Sequence, residues 1–498
     1  MGPPDLEGDA FARSDILTIV RCGMKSAGQY RAAPNLVRTS KLGSGAAVLC
    51  CSVMSAAFAA PVVLPPNATP NVVSIAAALQ RVCDQFSGAT AAGSLTPTQQ
   101  DVLQRCAFFE NPLASPTALA KGYAAIVGQQ VNALGPQAKK FASLQQDNLA
   151  ARMTDLRHGS TGVSLMGLQL RGDDNRLLAA NNITDFLPAD SSGSGKAPSW
   201  WDNRLGLFVN GSVKVGSKRQ SKNSFSFDIK DTSLTAGADY RVTDWFVLGA
   251  DYASGKTWAL FANGLGRLDL KAHGGSVFAL VYQRSVYVDV IAGYGGTDLN
   301  TDRNLDYSES GGSVVNQQAL GASHIQDMWA GISAGDELTW GNFVVTPEGS
   351  LNWHEIRLRG FTESMSAPGM PGGGLALSYA DAVVPSMQGR LNLRVGYTWS
   401  TPWGVLVPQV HYSFIREFRN RADTFTARFA VNDTQSNTDT PAYIRTDSPE
   451  GHYFANGAGF TAQFVHGISA FFDYEQLRTL KTIKSHEFSF GVRYEFRD

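Results

Sequence analysis

Residues 485–498 read SHEFSFGVRYEFRD, and the rest of the chain can be organised around this stretch. Every second position is apolar, and polar or small residues lie between; the apolar positions are Phe488, Phe490, Val492, Tyr494 and Phe496. A period of two is typical of a strand whose two faces meet different surroundings. The apolar face would meet the core in a soluble sandwich and lipid in a membrane barrel. The strand alone leaves both alternatives open.

The sequence predicts twelve such strands between residue 203 and the end of the chain. They lie at about 203–216, 231–242, 245–257, 268–283, 285–297, 325–340, 342–358, 386–400, 403–418, 452–465, 468–478 and 486–496. An even number of strands is the rule for bacterial single-chain outer-membrane barrels. The last strand is expected to close the barrel against the first.

The predicted connections alternate between tight turns and longer polar loops. Tight turns are expected at 241–244, 283–284, 340–342, 401–403 and 466–467. Longer loops are expected at about 217–230, 258–267, 298–324, 359–385 and 419–451, with a shorter one at 479–485. Short periplasmic turns and longer outer loops characterise membrane barrels, whereas Greek-key sandwiches do not sort their loops in this way. A lipocalin-like barrel or a propeller is the alternative.

The sequence therefore predicts an all-β protein, a 12-stranded antiparallel transmembrane β-barrel, preceded by a small α-helical N-terminal region. Aromatic residues near strand ends predict a girdle at the periplasmic interface; they are Trp201, Tyr240, Trp245, Tyr282, Trp340, Trp399 and Trp403. Pro408 cannot donate a ladder hydrogen bond, so we expect a bulge there.

The charge and the motifs exclude several functional classes. Charged residues make up 17% of the chain and the net charge is −1, which argues against a nucleic-acid binder. The string Gly-x-Ser-x-Gly occurs once, at residues 331–335, but it lies inside a predicted strand and not at a strand-to-helix elbow; no metal-spaced His pair or phosphate-binding glycine loop occurs. We therefore predict a protein that is not an enzyme and carries no cofactor or metal. Carboxylates and arginine on predicted inward positions, Asp473, Glu475 and Arg493, are expected to form a lumenal charge network.

An export signal is predicted at residues 1–59. Residues 45–60 read GAAVLCCSVMSAAFAA and follow several basic residues, which is the pattern of a signal peptide cleaved after Ala59. Met24 is a second candidate start, and residues 1–23 would then lie upstream of the true chain. A buried helix or a single membrane anchor is the alternative.

Residues 60–157 are predicted to be helical, 158–200 to be a linker and 201–498 to be the barrel. The first helix covers about 73–86, and Thr96, Pro97 and Gln99 predict the start of a second that ends near Phe109. A third is expected from Pro116 to about Leu134. A fourth is expected over 136–157, largely polar on its sides, so it would lie in a polar pore or on a solvated surface.

Cys83 and Cys106 remain after removal of the signal, and both lie in an exported chain. A disulfide is the expected state of two such cysteines, and it would staple the first two helices. Two buried free thiols are the alternative.

Residues 200–498 resemble the autotransporter β-domains of Gram-negative type V secretion. The stretches that carry the resemblance are 205–211 (LGLFVNG), 401–409 (TPWGVLVPQ) and 415–418 (IREF). The final strand is similar to the signal that the barrel-assembly machinery reads, with matching residues Ser489, Gly491, Tyr494 and Phe496. The resemblance implies an integral outer-membrane monomer whose partners are outer-membrane lipid, that machinery and periplasmic chaperones.

Residues 148–157 (NLAARMTDLR) are similar to the pore helix of self-cleaving members of this family. Those members have two adjacent Asn residues where this chain has Asp147 and Asn148. The first Asn attacks its own backbone carbonyl through its side-chain amide, and Asp147 lacks that nitrogen. The resemblance therefore implies at most a weak self-cleavage junction.

Two functional hypotheses remain. The first is a translocator and outer-membrane anchor that carries a short, disulfide-stapled helical region, which would be periplasmic, inside the pore or exposed at the surface. The second is a barrel-anchored surface enzyme of esterase type, or a binding module. The nearest match to a lipase block is Gly335-Asp336-Glu337-Leu338, which has Glu in place of the nucleophilic Ser and lies in a predicted strand. A conducting pore is a third, minor hypothesis.

Overall fold

The computed structural model describes residues 60–90, 95–134, 170–171, 177–178, 204–432, 441–464 and 468–495. The predicted signal peptide, most of the predicted linker and the predicted helix over 136–157 lie outside these residues. Residues 170–171 and 177–178 form a short antiparallel pair. None of the described helices has the length and hydropathy that a helical membrane span requires.

Three helices form the N-terminal region: α1 (Pro70–Thr90), α2 (Pro97–Phe109) and α3 (Pro116–Ile126). The predicted capping box of α2 is confirmed, because the Thr96 hydroxyl accepts from the Gln99 N–H and the Gln99 side chain accepts from the Thr96 N–H. The predicted third helix is too long. Gly128 has φ 66°, which ends the helix, and helical backbone resumes over 129–134.

Twelve long antiparallel strands of the described residues form one closed sheet, as predicted. They are β1 (Leu205–Lys218), β2 (Phe227–Thr243), β3 (Phe246–Phe261), β4 (Gly266–Gln283), β5 (Val286–Ser308), β6 (Val314–Asp336), β7 (Phe343–Leu358), β8 (Ala382–Tyr397), β9 (Gly404–Glu417), β10 (His452–Phe464), β11 (Ile468–Arg478) and β12 (Ile483–Glu495). Each pairs with its neighbours in the chain. The barrel closes where β12 pairs with β1 from Ile483↔Lys218 to Glu495↔Gly206.

The two faces of each strand differ as the sequence predicts. In β12, Phe488, Phe490 and Val492 are exposed on the outside, while Ser485 and Glu487 are buried in the lumen. The other strands repeat the apolar outer face, and their inner faces combine polar residues with a buried apolar cluster that includes Phe208, Phe278 and Tyr287. An apolar outer surface can face lipid, and a polar inner surface can hold water and ion pairs.

Aromatic side chains inside the lumen lie over glycines on neighbouring strands. A Cβ atom on Gly491 would lie 2.2 Å from the Phe471 ring, and one on Gly293 would lie 2.2 Å from the Trp329 ring. Phe278 covers Gly249 in the same way. These glycines are therefore required because the ring and the backbone approach each other closely.

The outer ends of several strands differ from the prediction. β5 and β6 form one long hairpin, so most of the predicted loop 298–324 is strand, and the loop between β3 and β4 shrinks to 262–265. The loops 359–381 and 418–451 carry short strands of their own. Shorter pairings occur at Leu338–Trp340 and Trp399–Thr401 at the turn end, and at Ser364–Met365 at the loop end.

Two side-chain predictions were wrong. Pro408 produces no bulge: the pairs Gly396↔Gln409 and Trp399↔Leu406 keep one register on either side of it. Tyr282 does not join the aromatic girdle, because its hydroxyl accepts from Arg241 and its ring packs on a buried cluster inside the barrel. The rest of the girdle is exposed as predicted at Tyr240, Trp245, Trp340, Trp399 and Trp403; Trp201 lies outside the described residues.

Candidate functional site at the loop end of the barrel

The three helices lie at the loop end of the barrel and, together with the loops, form a cap. Cys83 of α1 and Cys106 of α2 are joined by a disulfide with a Cα–Cα distance of 5.7 Å, and both residues are buried. The staple fixes α1 against α2. The cap consists of residues 60–134, as far as they are described, and the outer loops 219–226, 262–265, 309–313, 359–381 and 418–451.

One hydrophobic cluster runs through the helices and the loops. Phe108 stacks on Tyr307 at the outer end of β5 with ring centroids 5.7 Å apart, and Phe109 lies 4.8 Å from Tyr123 by the same measure. Phe425 and Phe429, from the loop between β9 and β10, are buried in the same cluster. The helices therefore do not form a domain with a separate core.

The loops contribute a small four-stranded antiparallel sheet, which we call the cap sheet. Its strands, in spatial order, are Phe361–Thr362, Leu377–Tyr379, Thr424–Phe429 and Ala442–Arg445. It joins two loops that are far apart in sequence. Phe361 and Tyr379 stack across its first pair at 4.8 Å between ring centroids.

Side chains at the start of α1 form hydrogen bonds with the unpaired backbone groups of Ala442–Arg445, the edge strand of the cap sheet. Asn71 Oδ1 accepts from the Arg445 N–H at 2.8 Å, and Asn71 Nδ2 donates to the carbonyls of Arg445 and Asn223 at 2.9 and 2.8 Å. Ser74 Oγ accepts from the Tyr443 N–H at 2.7 Å. An unpaired strand edge is a template for pairing with another chain, so α1 both docks on the edge and blocks it.

A second polar contact joins α2 to two loops. The Asp101 carboxylate accepts from the backbone N–H groups of Gly372 and Gly374 at 3.1 and 3.0 Å. Arg105 lies one turn later, 3.5 Å from Asp101, and pairs with Glu309. Burial raises the pKa of the Glu309 carboxyl, and Arg105 opposes that rise. The side chains of Arg105 and Glu309 are only 5% and 6% exposed, so this is an ion pair shielded from solvent.

A buried ion pair joins α3 to β5 and to the loop between β7 and β8. Arg303 and Glu363 pair with side chains that are each 2% exposed. Arg303 also donates to the carbonyls of Ala125 and Leu375 at 2.8 and 2.9 Å. Glu363 accepts from the Leu377 N–H at 2.9 Å. These hydrogen bonds satisfy both charges, as a buried pair requires.

A charged network lines the lumen below the cap. Lys214 Nζ donates to Glu487 at 2.6 Å. Glu475 lies 3.3 Å from Arg390 and 3.4 Å from His411, whose other ring nitrogen is 3.6 Å from Asp473. A cavity of about 290 Å³ separates this network from the cap, and its lining includes Asn132, Lys218 and Asp447. Lys218 pairs with Asp447, which ties the barrel wall to the loop above it.

The predicted site residues are placed unevenly. Gly491 and Ser489 lie on the lumenal face of β12, opposite Asn210 and Ser212 of β1. The Tyr494 backbone pairs with Leu207. Asp147, Asn148 and Phe496 lie outside the described residues, as does the side chain of Arg493. Asp473 and Glu475, two of the three residues predicted to form a lumenal charge network, do lie in the network described above.

Sequence reasoning missed the residues that hold the cap. Asn71, Asp101, Arg303 and Glu363 are polar residues in polar stretches, where no periodicity distinguishes a docking contact from a solvated side chain. One pattern in the sequence could have revealed part of the docking surface: the apolar residues of 299–307 all fall on alternate positions. Leu299, Leu305 and Tyr307 fall on one face there, and all three are buried beneath the helices.

Comparison with known proteins agrees with the geometry. The family model of the autotransporter β-domain matches residues 207–475, more than half of the 498-residue chain. No curated protein sequence gives a significant match.

Similar solved structures include three autotransporter barrels. The translocator domain of NalP from Neisseria meningitidis has 16% identity and a TM-score of 0.46, covering 59% of this chain and 89% of that one. The β domain of the Bordetella autotransporter Brka has 13% identity and a TM-score of 0.41, covering 59% and 100%. The transport unit of AIDA-I from Escherichia coli has 10% identity and a TM-score of 0.35, covering 64% and 97%. The family match over residues 207–475 shows that the chain belongs to the autotransporter β-domain family.

Proposed function

We propose that this autotransporter barrel keeps its N-terminal helices as a fixed cap on the outer surface instead of releasing them as a secreted passenger. The barrel is an integral outer-membrane translocator, and its loop end faces outward because outer-membrane barrels have short periplasmic turns and longer extracellular loops. The observation that carries the proposal is the single hydrophobic cluster shared by the helices and the loops.

The size of that shared core supports retention. Phe86, Phe109 and Tyr123 are each at most 2% exposed. Burying one large apolar side chain contributes roughly 1.5–3 kcal/mol, so undocking the helices would expose enough apolar surface to cost several such contributions. The ion pair Arg105–Glu309 and the contacts of Asn71 would also be lost. A passenger destined for release would not need to share its core with the loops.

We assign no catalytic role to the cap or to the charged network in the lumen below it. The carboxylates and His411 in the lumen already pair with one another and with Arg390, which supports a structural interpretation of that cluster. The partners are those of a barrel precursor: periplasmic chaperones, then the barrel-assembly machinery reading Ser489, Gly491, Tyr494 and Phe496, then outer-membrane lipid. The mature protein acts as a monomer.

An epitope inserted after Ala92 tests the proposal in living cells. Antibody should bind the tag on intact cells, and the tag should be absent from the culture supernatant. A tag that antibody reaches only after the outer membrane is permeabilised would contradict surface display, and a tag recovered from the supernatant would contradict retention.

A matched variant separates docking from simple covalent attachment. Asp147→Asn recreates the adjacent Asn pair of self-cleaving relatives and supplies the missing amide nitrogen. We expect a shorter tagged fragment in denaturing gels, still bound to the cells because the cap contacts hold it. A cleaved fragment that leaves the cells would show that the chain linkage, and not the shared core, retains the helices.

A further inference from the structure

Near the loop end of the barrel, exposed lysines follow the apolar outward residues of three adjacent strands and mark a border; on β3 the apolar Trp258 and Leu260 lie beyond this border. On β2, β3 and β4, the last large apolar residues before the border are Leu234, Tyr252 and Val277, which are 54%, 58% and 61% exposed. Beyond them on the same outward faces come Lys230 on β2, Lys256 on β3 and Lys271 on β4, all exposed. The three lysines therefore lie at the loop-end margin of the apolar outer surface.

These lysines form a row across three adjacent strands, which we call the lysine row. Lys256 and Lys271 are directly opposite each other in the ladder between β3 and β4. Lys230 is opposite Trp258, two residues from Lys256, so it is a diagonal neighbour on the same face. Like charges that face each other across a ladder destabilise a sheet. Within the described part of the chain, no ion pair engages any of the three.

Several nearby carboxylates have other partners, while the exposed Asp228 lies two residues from Lys230 on the same face. Arg267 lies 3.3 Å from Asp269 and 3.8 Å from Asp302. Asp298 is opposite Lys271 in the ladder, but its carboxylate lies 3.2 Å from the His324 ring. A shallow depression between β3 and β4 is lined by Lys256, Lys271, Arg267 and Asp269, together with the apolar Trp258 and Leu260. The ammonium groups of Lys256 and Lys271 thus face outward at the margin of an apolar surface with no ion-pair partner among the described residues, while Arg267 pairs with carboxylates, beside an aromatic ring of the kind enriched at membrane interfaces.

We propose that the lysine row binds the phosphate groups of a phosphorylated glycolipid in the outer leaflet of the outer membrane. The row is continuous with the lipid-facing surface, so acyl chains would lie against Leu234, Tyr252 and Val277 while the headgroup meets the ammonium groups. Lysine stems can lie along apolar surface and keep their charge in the polar layer. Phosphate is an anion that compact ammonium groups bind well, and it would relieve the repulsion between Lys256 and Lys271.

Lipid titration of the purified full-length protein in detergent tests the proposal. Three probes distinguish the chemistry: diphosphorylated lipid A, the same glycolipid without phosphates, and phosphatidylglycerol. The test variant is Lys230→Gln/Lys256→Gln/Lys271→Gln. The matched control is Lys121→Gln/Lys222→Gln/Lys481→Gln, which removes the same charge from three exposed lysines outside the row. Heat-modifiable migration checks that both variants remain folded barrels.

We expect wild type and control to bind diphosphorylated lipid A equally, and to bind the other two probes far more weakly. The row variant should lose roughly a hundredfold in affinity, because each lysine at an anionic surface contributes about a factor of five. The proposal is overturned if the row variant binds like wild type, if removing the phosphates leaves binding unchanged, or if phosphatidylglycerol binds as tightly as lipid A.

Discussion

The barrel wall and the cap differ in how far apart in the sequence their contacts lie. Each wall strand pairs with the next along the chain, and only the closure of β12 on β1 is distant. In the cap, Asn71 binds Arg445 across 374 residues and Asp101 binds Gly374 across 273. The wall can therefore form from local hairpins, whereas the cap requires nearly the whole chain to be in place. Docking of the cap should thus follow closure of the barrel.

The two regions also differ in how their strand edges are protected from pairing with other chains. The wall has no free edge, because the closed ladder satisfies its backbone groups. The cap sheet does have a free edge, and side chains of α1 satisfy it. Perturbing the wall should therefore affect the amount of assembled protein, while perturbing the cap should leave the barrel intact and loosen only its outer end.

The largest effect is expected from a substitution in the closing strand. Gly491→Leu would force a side chain into the Phe471 ring and the Asn210 amide, whose atoms lie 2.2 and 2.4 Å from an added Cβ. Overpacking costs roughly 1–3 kcal/mol or more, here at the seam that closes the barrel. Outer-membrane levels of heat-modifiable protein should fall severalfold. Gly349→Leu is the control, because its Cβ would meet only Leu391, at 3.6 Å, on the lipid-facing side; equal levels of the two variants would contradict the prediction.

The second-largest effect is expected from breaking the buried ion pair between Arg303 and Glu363 in the cap. Glu363→Ala leaves Arg303 charged and unpaired in a buried site, at a cost of roughly 3–5 kcal/mol. Protease sensitivity of residues 60–134 in the folded protein should rise accordingly, with the barrel unchanged. Glu355→Ala breaks the more exposed pair with Arg357 and should change cap stability by less than about 1 kcal/mol. Similar effects of the two substitutions would show that the buried pair does not hold the cap.

Removing the disulfide is expected to have a slightly smaller effect on the cap. Cys83→Ala/Cys106→Ala opens a loop whose ends are 23 residues apart, which corresponds to about 3 kcal/mol of lost stability. The helical signal at 222 nm should melt at a lower temperature, while barrel heat-modifiability stays as in wild type. Unchanged melting would mean that the docking contacts alone define the cap, and reduced barrel levels would mean that cap and wall fold as one unit.

The smallest effect is a pH dependence at Glu110. Burial raises the pKa of its carboxyl, with a further rise from Asp84. The folded cap therefore binds this proton more tightly than the unfolded chain, so stability increases as the pH falls from above the raised value toward the ordinary one. Glu110→Gln should stabilise the cap slightly at pH 8 and abolish this part of the pH dependence in melting curves. A cap that is less stable at pH 8 in the variant than in wild type would contradict the predicted direction of this pH dependence.

The sequence predicted the wall well because its signal is local. Alternation in β12 and the tight turns followed from residues close together in the chain. The prediction failed where that signal changes meaning. Beyond the membrane the outer faces of β5 and β6 are largely polar, and only their inner faces pack under the helices, so 298–324 resembles a loop in composition. Gly128 breaks the third helix within an apolar run, where the sequence shows no other helix stop.

The sequence could not predict that the helices and the outer loops combine into one cap. The sequence predicted the individual helices and the pairing of Cys83 with Cys106, but nothing local indicates that Asp101 would meet the backbone of 372–374. Such contacts depend on the tertiary structure that brings the loops together. The sequence alone is therefore compatible with helices in the periplasm, in the pore or at the surface.

Cysteine labelling of intact cells tests the central claim most directly. Leu113 lies between α2 and α3 and is 91% exposed. Leu113→Cys should react with a membrane-impermeant maleimide as fast as Met370→Cys in an outer loop, while Asp244→Cys in a periplasmic turn should react only after the outer membrane is permeabilised. Labelling of Leu113→Cys only after permeabilisation would contradict the claim that the helices cap the outer mouth of the barrel.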